Sequence, residues 1–193
     1  MKMKSNNWNL IWNPFTRVAG WQAFWVGIVI VIASAVLASY GNLLFDGAID
    51  AHFGDDVGVT QSLAVTGISL LSVVVTMYLG ALIISKSVRF IDILGTMTLA
   101  RAPFLLLAIV SPFVSYPPVD QLLQNPLVIL GYPLLLFFIL ISLPVIIWFI
   151  ALMYNGLKVS TGAKGQKLVV GFIVALLAAE VLSKVCIHFT QGV

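Results

Sequence analysis

Three charged residues lie inside stretches of sequence that are otherwise apolar: Arg101, Glu180 and Lys184. A bare arginine in membrane hydrocarbon costs from about 3 to more than about 10 kcal/mol, so such residues are usually compensated and often functional. An arginine and a carboxylate at this depth could bind an anion or a lipid headgroup, or relay a proton. They could equally form a buried ion pair that fixes the register of two helices. The residue types alone leave both roles open.

The depth of these residues predicts which of them can meet. Arg101 lies about 15 Å and Glu180 about 18 Å from the same end of their apolar stretches, counted by helical rise. Lys184 follows Glu180 by one helical turn on the same face, although its long side chain could instead reach outward to aspartates after the first apolar stretch. The candidate charge cluster is therefore Arg101, Glu180 and Lys184, with the secondary candidates Asp46, Asp50 and Ser183.

Proline and glycine predict two helix irregularities near these residues. Pro103 has no backbone N–H and frees the carbonyl of Leu99 in the preceding turn. The side chain of Arg101 could help to satisfy that carbonyl. Further along the chain, Asn155-Gly156 is a pair typical of a helix C-terminus, and we expect a long helix to end there.

An acidic segment could support a different chemistry, that of a metal site or a membrane-embedded hydrolase. It contains His52 and the aspartates Asp46, Asp50, Asp55 and Asp56. The spacing matches neither a calcium loop nor a paired-histidine site, so we expect a solvated loop without metal. The sequence also has no glycine-rich phosphate loop, nucleophile elbow or Cys/His cluster. We therefore expect no cofactor and no enzymatic activity, with a membrane-embedded hydrolase as the minor alternative.

The composition predicts a membrane protein. Of 193 residues, 61% are hydrophobic and 9% are charged, whereas a soluble domain carries about a quarter charged residues. The net charge of +3 is spread over short loops, which excludes a basic groove for nucleic acid.

The apolar runs predict an all-α integral membrane bundle of five transmembrane helices in a single domain, residues 1–193. Each run is long enough for a hydrocarbon core of about 30 Å, so we interpret the first as a retained helix rather than a cleaved signal peptide. A short segment rich in tryptophan, residues 1–20, should lie in the membrane interface. The predicted spans are approximately 21–44, 63–84, 91–113, 127–154 and 168–189.

The basic residues predict the orientation. All of the ten lysines and arginines except Arg101 and Lys184 fall before the first span, between the second and third, or between the fourth and fifth. The positive-inside rule then places the N-terminus in the cytoplasm and the C-terminus outside.

Small residues recur on one face of each of the first two spans, and they predict close helix packing, with a polar water path as the alternative. In the first span they are Ala23, Gly27, Ser34, Ala38 and Gly41. In the second span they are Ser62, Thr66, Ser69, Ser72, Thr76 and Gly80.

Several short motifs together resemble the bacterial branch of the YIP superfamily, the five-span proteins named for Ypt/Rab-interacting proteins. The motifs are Asn13-Pro14-Phe15-Thr16-Arg17-Val18-Ala19-Gly20-Trp21, Phe45-Asp46-Gly47, Arg101-Ala102-Pro103, Trp148, Met153-Tyr154-Asn155-Gly156-Leu157-Lys158-Val159-Ser160 and Glu180-Val181-Leu182-Ser183-Lys184. The resemblance covers nearly the whole chain. It implies a five-helix fold and a role for Arg101 and for Glu180, Ser183 and Lys184.

The sequence departs from the eukaryotic members of that superfamily, which resemble it in fold and act in vesicle traffic between Golgi and endoplasmic reticulum. Those proteins carry a longer cytosolic N-terminal region and an Asp-Leu-Tyr-Gly-Pro type motif, and this sequence has neither. Binding of a GTPase is therefore doubtful.

Together these features predict a non-enzymatic multi-pass protein of the bacterial cytoplasmic (inner) membrane that organises membrane partners or lipids. Its partners would be the lipid bilayer, other membrane proteins or further copies of itself, and not nucleic acid. The alternative is a small transporter, channel or lipid-moving protein that uses Arg101, Glu180 and Lys184. A water-filled opening beside Arg101 would favour that alternative, and a seal of apolar side chains would oppose it.

Overall fold

The computed structural model describes residues 8–191 and is 77% helical. Five of its helices are long and apolar enough to cross a membrane, which confirms the predicted all-α bundle. They cover Gly20–Tyr40, Val59–Ile84, Phe90–Phe113, Pro133–Thr161 and Gln166–Thr190. The chain is thus a multi-pass helical membrane protein.

Eight α-helices and two short strands follow one another along the described part of the chain. They are α1 (Trp8–Trp12), α2 (Gly20–Tyr40), β1 (Leu43–Leu44), β2 (His52–Phe53), α3 (Val59–Ile84), α4 (Phe90–Ala100), α5 (Phe104–Val110), α6 (Val119–Gln124), α7 (Pro133–Thr161) and α8 (Gln166–Gln191). Turns of 3-10 helix cover Pro14–Thr16, Ser111–Phe113 and Pro126–Gly131. The third span is broken into α4 and α5, whereas each of the other spans is one helix.

The predicted ends of the first and fourth spans are wrong. The first span stops at Tyr40, because the chain then turns inward and packs Gly41 so closely that a Cβ atom would lie 2.4 Å from Ser111. The fourth span continues through Asn155-Gly156 to Thr161. Gly156 is needed there for packing rather than for a helix end, since a Cβ atom would lie 2.9 Å from the Cβ of Thr96.

The start of the fourth span also lies later than predicted. Asn125 does cap the turn that follows it, because its side chain accepts a hydrogen bond from the N–H of Leu127. That turn, however, is the short 3-10 segment Pro126–Gly131, and the long helix begins at Pro133. Gly162, with φ of +65°, ends this helix in the left-handed conformation that glycine adopts without strain.

The small residues of the first two spans pack closely, as predicted. A Cβ atom on Gly27 would lie 2.6 Å from the backbone nitrogen of Leu99, so α2 and α4 touch at their backbones. The hydroxyl of Ser62 donates to the carbonyl of Ala35 at 2.8 Å and joins α3 to α2. Small residues permit this approach where larger side chains would separate the helices.

The segment between α2 and α3 enters the bundle instead of lying in solvent. Its antiparallel strands β1 and β2 pair Leu43 with Phe53, and we call residues 43–53 the hairpin segment. Phe45 is buried, its ring stacks on Phe104 at 5.0 Å, and its carbonyl accepts a hydrogen bond from Ser69 at 3.0 Å. The expectation of a solvated loop is therefore wrong for the start of this segment, because its apolar side chains find a place in the core.

The N-terminal segment lies against the fourth span. The indole N–H of Trp148 donates to the carbonyl of Ile11 at 2.8 Å, and the amide of Asn155 donates to the carbonyl of Trp12 at 2.9 Å. Trp8 and Trp12 are exposed, as a segment in the membrane interface requires. Residues 1–7 of the predicted interfacial segment lie outside the described residues.

Candidate functional site

Arg101 lies at the break between α4 and α5, and its side chain is 2% exposed. The carbonyl of Leu99 accepts a hydrogen bond from the backbone N–H of Ala102 at 3.0 Å. The prediction that the Arg101 side chain satisfies this carbonyl is therefore wrong. The 3-10 turn at the break satisfies it locally and leaves the guanidinium for other partners.

The guanidinium is surrounded by one carbonyl and two aromatic rings. Its Nη2 donates a long hydrogen bond of 3.5 Å to the carbonyl of Gly47 in the hairpin segment. The rings of Phe104 and Phe149 each lie with their centroids 6.0 Å from the Cζ atom. Aromatic faces attract a cation by about 0.5–2 kcal/mol, with the larger values where the cation is desolvated. These contacts replace part of the water that the charge has lost.

Glu180, whose charge is opposite to that of Arg101, also binds the hairpin segment. Its Oε2 accepts a hydrogen bond from the backbone N–H of Ile49 at 3.2 Å. Among residues 8–191, Arg101 and Glu180 form no direct ion pair, which corrects the simplest form of the pairing hypothesis. They still attract each other electrostatically. Both side chains bind the backbone of residues 47–49.

Gly47 makes this arrangement sterically feasible. A Cβ atom at this position would lie 2.6 Å from Oε1 and 2.8 Å from Oε2 of Glu180. Only glycine lets the backbone come close enough for Glu180 to reach Ile49 while the Gly47 carbonyl reaches Arg101.

Two kinds of partner were predicted for Lys184, Glu180 on its own helix and the aspartates after the first span, and the structure shows the aspartates. Its ammonium donates to Asp46 at 2.5 Å and to Asp50 at 2.8 Å, so it reaches outward to the hairpin segment. Glu180 and Lys184 lie one helical turn apart on α8, and both bind the hairpin segment. Ser183 between them is buried, and its hydroxyl donates to the carbonyl of Glu180 at 2.9 Å, which places Ser183 in the helix rather than in the cluster.

His52 lies in the same group of charges as Lys184, Asp46 and Asp50. Its Nδ1 lies 3.0 Å from Asp46 Oδ1. The hydrogen bond to Asp46 raises the pKa of His52 above its ordinary value of 6.5, against the opposing effect of burial. For Asp46, which is 7% exposed, burial raises the pKa, but His52 and Lys184 outweigh it and the pKa is lowered overall. The charges of this group thus stabilise one another.

Other residues around the charges were not singled out in the sequence. Phe104 and Phe149 look like ordinary apolar helix residues, and Gly47 looks like a loop glycine. A partner that is a backbone carbonyl or N–H leaves no mark in a sequence. Among the described residues, no three His, Cys, Asp or Glu side chains are grouped as they would be to hold a metal ion.

The space beside Arg101 is small. The cavity that it borders has a volume of about 10 Å³, and every residue lining it is buried. Such a cavity is at the lower limit for one water molecule, about 10–15 Å³, and far below that for a solute. In this conformation the guanidinium is sealed.

No model of a protein family matches the chain, and neither a curated protein nor a solved structure matches it.

Exchanging Arg101 and Glu180 should not restore the fold. In the double variant Arg101→Glu with Glu180→Arg, a carboxylate would face the Gly47 carbonyl and a guanidinium would face the Ile49 N–H, so both backbone bonds would be lost. We expect Arg101→Glu and the double variant to lose about 3–5 kcal/mol of stability, as a broken buried charge does, and Glu180→Arg, at a half-buried position, to lose less. The measurement is the yield of monodisperse protein in detergent.

Glu180→Gln is the matched control, because its amide oxygen still accepts from Ile49. It should retain more folded protein than Glu180→Arg. A double exchange that reaches the wild-type yield would show that the two side chains pair directly.

The stability of the protein should depend on pH through His52. Because its pKa is raised in the fold, its stabilisation is fully present below its ordinary pKa and is lost as pH rises through the raised value. The apparent Tm should therefore fall between about pH 6 and pH 8 in the wild type and stay flat in His52→Gln. Asp46→Asn should also flatten the profile. The lowered pKa of Asp46 acts only at acidic pH, so a slope that persists in His52→Gln would contradict this assignment.

Proposed function

We propose that this chain is a non-enzymatic membrane protein that organises lipids, and that it binds an anionic phospholipid between α3 and α8. The observation that carries the proposal is a groove of about 720 Å³ between these two helices. It lies on the face that would meet the bilayer, and its size is that of a ligand site.

The lining of the groove fits an acyl chain. The helices approach closely at Gly80, where a Cβ atom would lie 3.2 Å from the Cβ of Ala175. Larger side chains on both sides form the walls, and Ile83 is 88% exposed. The lining is Thr76, Leu79, Gly80, Ile83, Ile84, Gln166, Lys167, Val170, Gly171, Val174, Ala175 and Ala178. An apolar groove of this kind accepts hydrocarbon and offers a free solute few polar partners.

The charge at one end of the groove favours an anionic headgroup. Among the residues that the structure describes, Lys167 is the one cation in the lining. It lies in the first turn of α8, next to the α7–α8 loop that carries Lys164, and Lys158 lies in the last turn of α7. A lysine near an anionic leaflet contributes about 1 kcal/mol. An acyl chain in the groove and a phosphate at Lys167 would therefore engage the two parts of one lipid.

The alternative of a transporter or channel through Arg101 receives no support from the geometry. The guanidinium is buried, and the cavity that it borders has a volume of only about 10 Å³. Glu180 and Lys184 are engaged with the hairpin segment. These charges hold the fold together, which supports the non-enzymatic role.

Neutralising Lys167 should weaken the preference for anionic lipid. We expect native mass spectra of the purified protein, titrated with phosphatidylglycerol or phosphatidylcholine, to show preferential retention of phosphatidylglycerol. In Lys167→Gln this preference should fall by about fivefold, the equivalent of about 1 kcal/mol. Lys164→Gln is the matched control, since this lysine has the same charge but does not line the groove.

Equal retention of the two lipids by the wild type would contradict the lipid assignment. Robust ion or solute flux through vesicles containing the pure protein would contradict the organising role. A mass at twice that of the protomer would identify the homo-oligomer that is also expected from the sequence.

We further propose that the N-terminus faces the cytoplasm and that the protein belongs to the bacterial cytoplasmic membrane, as a relative of the YIP superfamily. The support is the distribution of basic residues. The end of the bundle with Lys86, Lys164 and Lys167 is rich in cations, and the end with the hairpin segment carries aspartates. The groove would then open to the cytoplasmic leaflet.

Single cysteines should report this orientation in cells. In a Cys186→Ala background, Asp55→Cys should react with a membrane-impermeant maleimide in intact cells, because Asp55 is exposed in the outer loop. Lys164→Cys, exposed in the α7–α8 loop, should react only after the membrane is opened. The reverse pattern of labelling would overturn the orientation.

A further inference from the structure

A small internal cavity lies beside Arg101, between α2, the hairpin segment, α3 and α5. Its volume is about 10 Å³. The residues lining it are all buried: Val31, Ser34, Phe45, Thr66, Arg101 and Phe104. Three of them are apolar, and the other three bring polar atoms to the same place.

The polar atoms at this cavity lack partners among the described residues. Arg101 has two such atoms, Nε and Nη1, and the hydroxyl of Thr66 is a third. Thr66 is 3% exposed and Arg101 is 2% exposed. Buried polar atoms without a hydrogen bond are rare and costly in folded proteins, and here three of them lie around one space.

Ser34 adds an acceptor. Its hydroxyl donates to the carbonyl of Ile30 at 2.8 Å, so its oxygen lone pairs remain for another donor. The cavity is therefore bordered by a guanidinium whose Nε and Nη1 still have N–H groups to donate, by an acceptor on Ser34 and by a Thr66 hydroxyl that can do either.

We propose that this cavity is a binding site for one water molecule, held between Arg101, Thr66 and Ser34. A water needs about 10–15 Å³ and two to four polar partners, and the cavity supplies both. The water accepts from the guanidinium and donates to the two hydroxyl oxygens. A halide ion is larger than water and cannot donate, so it would give the lone pairs of Ser34 no hydrogen bond.

The bound water adds to the solvation of Arg101 inside the bundle. The Gly47 carbonyl takes one N–H group of the guanidinium, and the water accepts from one of the N–H groups, on Nε or Nη1, that no other described group reaches. A charge at this depth can then persist without an open aqueous path.

The sign of the effect of Thr66→Val distinguishes a filled site from an empty one. If a water is bound, valine removes one of its partners, and the apparent Tm should fall by about 2–4 °C. If Thr66 is truly unpaired, removal of its hydroxyl is neutral or stabilising. The matched control is Thr98→Val in α4, because the hydroxyl of the buried Thr98 donates to its own helix at the carbonyl of Leu94. A Tm equal to or above that of the control overturns the proposal.

A structure at high resolution from crystals grown in bromide tests the identity of the ligand. The expected result is a peak with the density of one water within hydrogen-bond distance of Arg101 and Thr66, and no anomalous signal. An anomalous bromide peak in the cavity, or no density there, overturns the proposal.

Discussion

The positive charge of Arg101 in the interior of the bundle is the constraint on which the rest of the structure depends. Bulk water does not reach it there, since the side chain is 2% exposed, and among the described residues no ion pair joins it to Glu180. The backbone of the hairpin segment compensates the buried charge instead, because the carbonyl of Gly47 accepts a hydrogen bond from the guanidinium. Two aromatic rings and the field of Glu180 add to that contact. In a medium of low dielectric constant each of these weak interactions is stronger than it would be in water.

This use of the backbone has consequences for the whole end of the bundle that contains the hairpin segment. The hairpin segment must enter between the helices, so α2 ends at Tyr40 and the chain turns inward at once. Its own polar groups must then be satisfied, and α8 does this with Glu180 at Ile49 and, one turn further, Lys184 at Asp46 and Asp50. Both charged residues of the last span thus act on one segment. The exposed part of that segment keeps His52 and Asp50 at the surface, where the cluster becomes sensitive to pH.

The sequence predicts the parts of this arrangement that depend on local composition. Long apolar runs define the five spans, and the reach of a lysine side chain suffices to suggest the contact of Lys184 with Asp46. It does not predict the partners of Arg101 and Glu180, because backbone groups at Gly47 and Ile49 are the same in every residue type. Nor does it predict that α7 passes through Asn155-Gly156, since the packing of Gly156 on Thr96 outweighs a local preference for a helix end. Contacts between distant parts of the chain decide both cases.

The division of polar groups also bears on function. A transport site needs charged groups that can exchange their partners with a solute, but Glu180, Lys184 and Asp46 each hold the hairpin segment in place. Moving Glu180 would leave the backbone N–H of Ile49 without its hydrogen bond, and moving Lys184 or Asp46 would break the ion pair that joins α8 to the hairpin segment. Losing the partner of a desolvated polar group is costly. The lining of the groove between α3 and α8 contains none of these three residues, and Lys167 lies at one end of its apolar surface. The site proposed for lipid therefore shares no residue with these contacts, while Arg101, Glu180 and Lys184 hold the hairpin segment in the bundle.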